Sequence, residues 1–378
     1  MSSALMLRTV SLSCLLLVPS TTLAQSREPY RGASVDRTVA AAYAPVFVQG
    51  LGETPRFDYI TNFDFDGDWK GDNNWNNAGD EKRPLLGYVY YSVSETATHF
   101  FIHYAAFHPR DYKGGSTKGR VLSGLIREGA SVGGKYDPTG LADEAVLAHE
   151  NDLEGCLVVV EKGKGGPESG RIVFFETLAH NRFLKYSAAG SSAKGVSTVA
   201  IKNNRVRLFV EPKGHGIEAF TGSADQKKDC RNGTLNYRYT GKAADPAKSG
   251  AGPVGYDLVP MHTTLWERAV AVSAETYGEA SSFGGAGADG MAYSSSLAAE
   301  GTGGGKGSRP ISLGSAFNGK VGAPNMARPP WGWFDSSEKD RPLGEWFFDP
   351  AGTIKRHFAL PSSFSVTYVH QPARGLFR

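Results

Sequence analysis

The sequence predicts a mainly β fold: a β-sandwich with long loops and a few short helices. Three observations predict it. Short runs rich in aromatic and β-branched residues recur along the chain, each bounded by Gly, Pro, Asn or Asp, the punctuation of strands. Glycine is abundant, 47 of 378 residues, and aromatic residues make up 11%, which suits a loop-heavy sheet protein better than a helical bundle. Helical candidates are few: residues 139–147 and 264–273, the second around LWERAVAV.

In chain order, the first segment reads as an export leader. Arg8 gives a positive start, residues 10–18 an apolar stretch too short to anchor in a bilayer, and Thr22-Leu23-Ala24 a small-residue cleavage site. Cleavage after Ala24 is expected. It leaves residues 25–378 as a single β-sandwich-like domain, secreted or periplasmic. Strands follow at YAPVFVQ (43–49), LLGYVYYSVSE (85–95), HFFIHYAAFH (99–108), CLVVVEK (156–162), RIVFFETLAH (171–180), RVRLFVEP (205–212), LNYRYT (235–240) and SFSVTYVH (363–370). Residues 113–140 read as loop, and the low-complexity run at about 279–308 as a Gly-rich insertion. APNMARPPWGWFD and GEWFFDP, rich in Trp and Pro, read as packed segments. No segment after the leader is long and apolar enough for a membrane helix. Basic and acidic residues nearly balance, 41 against 38, which argues against a nucleic-acid partner.

The stretch LAHENDLEGCLVVV (147–160) places His149, Glu150, Asp152 and Glu154 immediately before an apolar run. Burying such groups is costly unless they are paired or bind a metal. In a strand Asp152 and Glu154 share a face with Cys156, and a bend would bring His149 to the same point. Carboxylates with an imidazole suit a divalent cation, with calcium or magnesium foremost and zinc open. The plain alternative is a set of solvated charges and surface ion pairs at a strand entrance. A second acidic constellation is ITNFDFDGDWKGDNNWNN (60–77). There Asn62, Asp64, Asp66 and Gly67 have the spacing of a calcium loop, and Asp68 and Asp72 supply further oxygens. Its alternative is an Asp/Asn turn cluster satisfying its own backbone. Trp69 and Trp75, inside that loop, read as stacking platforms or as packing residues.

His215, between two glycines in EPKGHGIEAF, is a candidate to complete the cation site or to act as a general base. By strand parity His103 and His108 face opposite sides. Once the leader is removed with Cys14, the remaining cysteines are Cys156 and Cys230, which an exported protein can join as a disulfide. No Gly-x-Ser-x-Gly elbow, His-Glu-x-x-His helix or phosphate-binding Gly-Lys-Ser/Thr loop occurs.

The order His149-Glu150-Asn151-Asp152-Leu153-Glu154 resembles the His-Arg-His-Asp-Trp-Glu core of the necrosis- and ethylene-inducing-like proteins, secreted cation-binding β-sandwich toxins. YAAFHPRDY (104–112) is similar to that family's Tyr-Ala-Trp-Tyr-Phe-Pro-Lys-Asp stretch. The resemblance spans residues 104–160 and departs from the family at Ala148, Asn151 and Leu153. It implies a divalent cation held by His149, Asp152, Glu154 and Asp111. The expectation is then an exported protein that recognises an external glycan or lipid head group through that ion. The alternative is a metal-dependent hydrolase in which the cation activates water and Glu150 or His215 serves as base.

Overall fold

The computed structural model describes residues 33–112, 148–188, 195–278, 313–314, 316–321, 327–338, 341 and 343–375. The expected leader, the helix expected at 139–147 and the Gly-rich run at about 279–308 lie outside them.

The fold is mainly β. Its strands are β1 (Val46–Gly50), β2 (Tyr88–Thr96), β3 (His99–Asp111), β4 (His149–Glu161), β5 (Arg171–Ala179), β6 (Arg182–Ser187), β7 (Val196–Thr198), β8 (Arg207–Val210), β9 (Ile217–Ala219), β10 (Thr234–Tyr239), β11 (Val254–Pro260), β12 (Tyr277–Gly278), β13 (Ala316–Phe317) and β14 (Tyr368–His370). All but β12 and β13 form one mixed sheet in the order β7-β6-β5-β4-β3-β2-β11-β10-β1-β8-β9, with β14 added on β2. The sheet curls until its edge strand β9 meets β4 and β5. A continuous sheet folded over itself therefore takes the place of two separate layers.

Strand parity explains why β3 and β4 are apolar almost throughout. The even residues Phe100, Ile102, Tyr104, Cys156, Val158 and Val160 fill the inside of the curl with Tyr43, Phe47 and Leu208. The odd residues Phe101, Phe107, Leu153, Leu157 and Val159 face an outer layer containing Trp266, Trp331, Trp333, Trp346 and Ile354. Burial of each large apolar side chain contributes about 1.5–3 kcal/mol. The parity expectation for two histidines holds on these grounds: His103 packs against Trp346 and Phe347 outside, and His108 points inward.

The outer layer is built from the packed C-terminal segments. The predicted helix at 264–273 forms over Leu265–Val270, and short helices form at Glu345–Phe348 and Pro350–His357. Pro350 at the first turn and the Asp349 carboxylate, which accepts from Gly352 N, start the last of these. Its final residue, His357, enters a buried ionic cluster. Nδ1 is hydrogen-bonded to Glu176 Oε1, and Nε2 lies 2.7 Å from Glu338 Oε1. Trp346 Nε1 donates to Glu176 Oε2 at 2.8 Å. Strand β14 is shorter than SFSVTYVH suggested. It pairs with Glu95 and Thr96, while His370 reaches Asp36 of the helix Ala33–Tyr43 at 3.1 Å.

The expected disulfide is corrected: Cys156 and Cys230 are free thiols. Cys156 is fully buried in the inner core at the middle of β4, and burial pushes its pKa up. Cys230 packs instead over the end of β1, where a Cβ built on Gly50 would lie 2.8 Å from its Sγ.

Candidate metal centre

Three chain segments meet at the inner face where β3 ends and β4 begins. Antiparallel register sets His108 opposite Asp152. The turn between β8 and β9 delivers His215: Lys213 and His215 adopt positive φ, 72° and 52°, and Glu211 N donates to Gly216 O at 3.0 Å. That tight reversal sends the imidazole inward, where it is fully buried. The rings of His108 and His215 stack with centroids 3.7 Å apart and planes within 3°.

His215 lies between two carboxylates. Nδ1 is 2.9 Å from Asp152 Oδ2, and Nε2 is 3.4 Å from Asp58 Oδ1, an ion pair rather than a hydrogen bond. Burial opposes its charge, but Asp152 and Asp58 outweigh burial and push its pKa up to about 9. Asp58 is itself fixed by Gly52 N (2.8 Å), Tyr112 OH (2.6 Å) and Lys213 N (2.7 Å). His108 has the opposite character: burial, then the neighbouring His215 charge, drives its pKa well down.

The His108 tautomer follows from its partner. Gln49 Nε2 donates to Gly50 O (2.9 Å) and Glu211 O (3.3 Å), so Gln49 Oε1 faces His108 Nε2 at 3.0 Å and accepts a hydrogen bond from its N–H. His108 Nδ1 is left as a buried lone pair with no hydrogen-bond partner among the described residues. One ligand atom each from His108, Asp152 and His215 lies within 4.8 Å of the others, the one such group among the described residues.

Of the expected ligands, Asp152 belongs to this group. Asp111 and His149 are cross-strand partners, with Oδ2 and Nε2 3.8 Å apart. Glu154 is buried two residues beyond Asp152. Asn151, at φ 58°, breaks the alternation between His149 and Asp152. Its side chain binds Gly71 O, Asn318 O and Asn74 Nδ2 at 2.7–2.8 Å. Glu150 accepts from three backbone N–H groups, Trp75 (2.7 Å), Lys320 (2.9 Å) and Val321 (3.4 Å). These bonds tie the loops of Trp75 and Lys320 to the start of β4.

The carboxylates at 60–77 go to separate donors. Asp64 accepts from Asn62 Nδ2, Asp66 from Asn77 Nδ2 and Asp68 N, Asp68 from Lys70 N and Asn73 Nδ2, and Asp72 pairs with Lys320. This is the pattern of side chains satisfying a turn. Trp69 stacks on Phe63 and under Arg268, and Trp75 packs against Arg110. His180, at the β5–β6 turn, pairs with Glu211 at 2.7 Å. Sequence parity separates His108 from His103 without naming it a ligand; the antiparallel register opposite Asp152 is what brings it into the group.

No helix among the described residues is long and apolar enough to cross a membrane. No protein-family model and no curated protein matches the chain. Among solved structures it is similar to the non-toxic HaNLP3 protein, at 14% identity and TM-score 0.29 over 60% of this chain and 74% of that one. It is also similar to NLPPya in complex with glucosamine, at 16% identity and TM-score 0.28 over 50% and 70%. A third is the necrosis and ethylene inducing protein 2 from the causal agent of cocoa's witches' broom disease, at 14% identity and TM-score 0.24 over 48% and 67%. Likeness at this level assigns no residue or ligand here. The structural neighbours of this chain are necrosis- and ethylene-inducing-like toxin-fold proteins, at low identity.

Proposed function

We propose that the protein binds a divalent cation between His108, His215 and Asp152, and that the ion serves recognition of an external glycan or lipid head group. The observation that carries the cation is the buried lone pair of His108 Nδ1 in the same cluster as a carboxylate and a second imidazole. Each imidazole has an acceptor facing its Nε2, Gln49 Oε1 for His108 and Asp58 Oδ1 for His215. Outer acceptors of this kind orient metal-bound histidines and make them more basic. The cation would replace the proton between His215 Nδ1 and Asp152, so binding releases a proton. It would also splay the two rings, because lone pairs on parallel rings run side by side. Two imidazoles and one carboxylate favour zinc or another first-row ion over the all-oxygen preferences of calcium and magnesium.

Recognition is favoured over bond cleavage because the candidate bases are otherwise engaged. Glu150 is taken up by three backbone donors, and both nitrogens of His215 face carboxylates. With the export expected from residues 1–24, the ligand is an external one.

The test is metal analysis of purified protein after dialysis against zinc, manganese, calcium or magnesium. A single tightly held ion is expected, lost in His108→Ala and Asp152→Asn and kept in Glu154→Gln. Metal content unchanged in the first two variants removes the site. Calorimetry with glucosamine, mannosamine and anionic lipid vesicles, with and without chelator, tests recognition. Binding indifferent to the chelator removes that half.

A further inference from the structure

Arg328 is the one buried Lys or Arg among the described residues, with 7% of its surface exposed. Its Nη1 is buried without a hydrogen bond, and no acidic group among those residues acts on its charge. Its charge lies over the Phe334 ring, 5.4 Å from the guanidinium carbon. Three other arginines of the fold show how such a group is satisfied. Arg37 pairs with Asp257, Arg56 caps three carbonyls and Arg205 caps two. A guanidinium nitrogen withdrawn from water without a partner is costly, and one aromatic face offsets little of that cost.

The backbone allows no easy escape. Ala327 O accepts from Phe317 N at 2.8 Å and Arg328 O from Trp333 Nε1 at 3.0 Å. Pro329 and Pro330 follow, and Trp331 is buried behind them. Trp333 is lodged over Gly155, where a Cβ would come within 2.4 Å of its ring. The side chain is thus carried on a rigid clamp, the arrangement of a preorganised receptor. Arginine is the residue whose planar fork matches a carboxylate or phosphate.

We infer that Arg328 anchors a second ligand site, separate from the His108–His215–Asp152 cluster, that takes a small oxyanion. Phosphoryl and carboxylate groups share this chemistry. The test measures Tm of the full chain against increasing inorganic phosphate or acetate, with chloride holding ionic strength constant. Phosphate or acetate is expected to raise Tm progressively, and the effective anion identifies the source as phosphoryl or carboxylate. Arg328→Met, similar in length and uncharged, is expected to lose the response. Isothermal calorimetry of the same anions with the unmodified protein gives a readout that does not depend on the variant folding. Absence of heat and of a Tm response, or an equal response in Arg328→Met, overturns the inference.

Discussion

Alkaline pH should loosen the helix Pro350–His357 from the outer face of the sheet. His357 lies between Glu176 on β5 and Glu338, with Lys185 reaching Glu338 at 3.2 Å. Burial alone would lower its pKa, but the two carboxylates outweigh burial and raise it from 6.5 to about 9. A group whose folded pKa is raised stabilises the fold fully below its unfolded pKa, and that contribution fades as pH climbs through the folded value. The window is therefore roughly pH 6.5 to 9. At 1.36 kcal/mol per unit the shift corresponds to about 3 kcal/mol. His357, through its hydrogen bond, also holds Glu338 down to about 2. That is the same interaction seen from the acid side and is not added again. Urea unfolding of the wild type and of His357→Gln, at about pH 6 and about pH 10, isolates the effect because other titrating groups cancel in the difference. The stability gap should shrink by about 3 kcal/mol at the higher pH. A gap independent of pH would refute the assignment of charge to His357.

Three further outcomes are expected. Gly155→Ala places a Cβ 2.4 Å from Trp333 Cη2 and 2.7 Å from Tyr104 O, and overpacking should lower the unfolding free energy by about 1–3 kcal/mol with the denaturant slope unchanged. Asn151→Ala loses hydrogen bonds to Gly71, Asn318 and Asn74 and leaves an alanine at φ 58°; a loss of about 3 kcal/mol should appear in the same assay. Reductant should leave Tm unchanged, and thiol titration of the native protein should label Cys230 quickly and Cys156 only after denaturation, as their burial requires.

How much of this was legible in the sequence depends on the range of the forces involved. The apolar residues at 156–160 announced a buried strand, and parity placed His103 and His108 on opposite faces, because both signals are local. Asp152 stood out for the same reason: a carboxylate entering an apolar run needs a partner. His108 and His215 could not be joined to it by spacing. Their meeting depends on antiparallel register and on a curl that brings β9 against β4 and β5. The cysteines misled because compartment and count allow a bridge, whereas the fold lodges Cys156 inside β4 and Cys230 over Gly50. In the acidic loop, spacing alone does not distinguish convergence on an ion from turn residues serving nearby amides.

The contact between His370 and Asp36 joins residues 334 positions apart. A ribosome must therefore complete nearly all of this polypeptide before the first helix gains its closing partner and β2 acquires β14. Local structure can form earlier, but the enclosing contacts are long-range, and topologies of that kind fold slowly. A chain arranged this way cannot complete its enclosing contacts until synthesis has nearly reached its last residues.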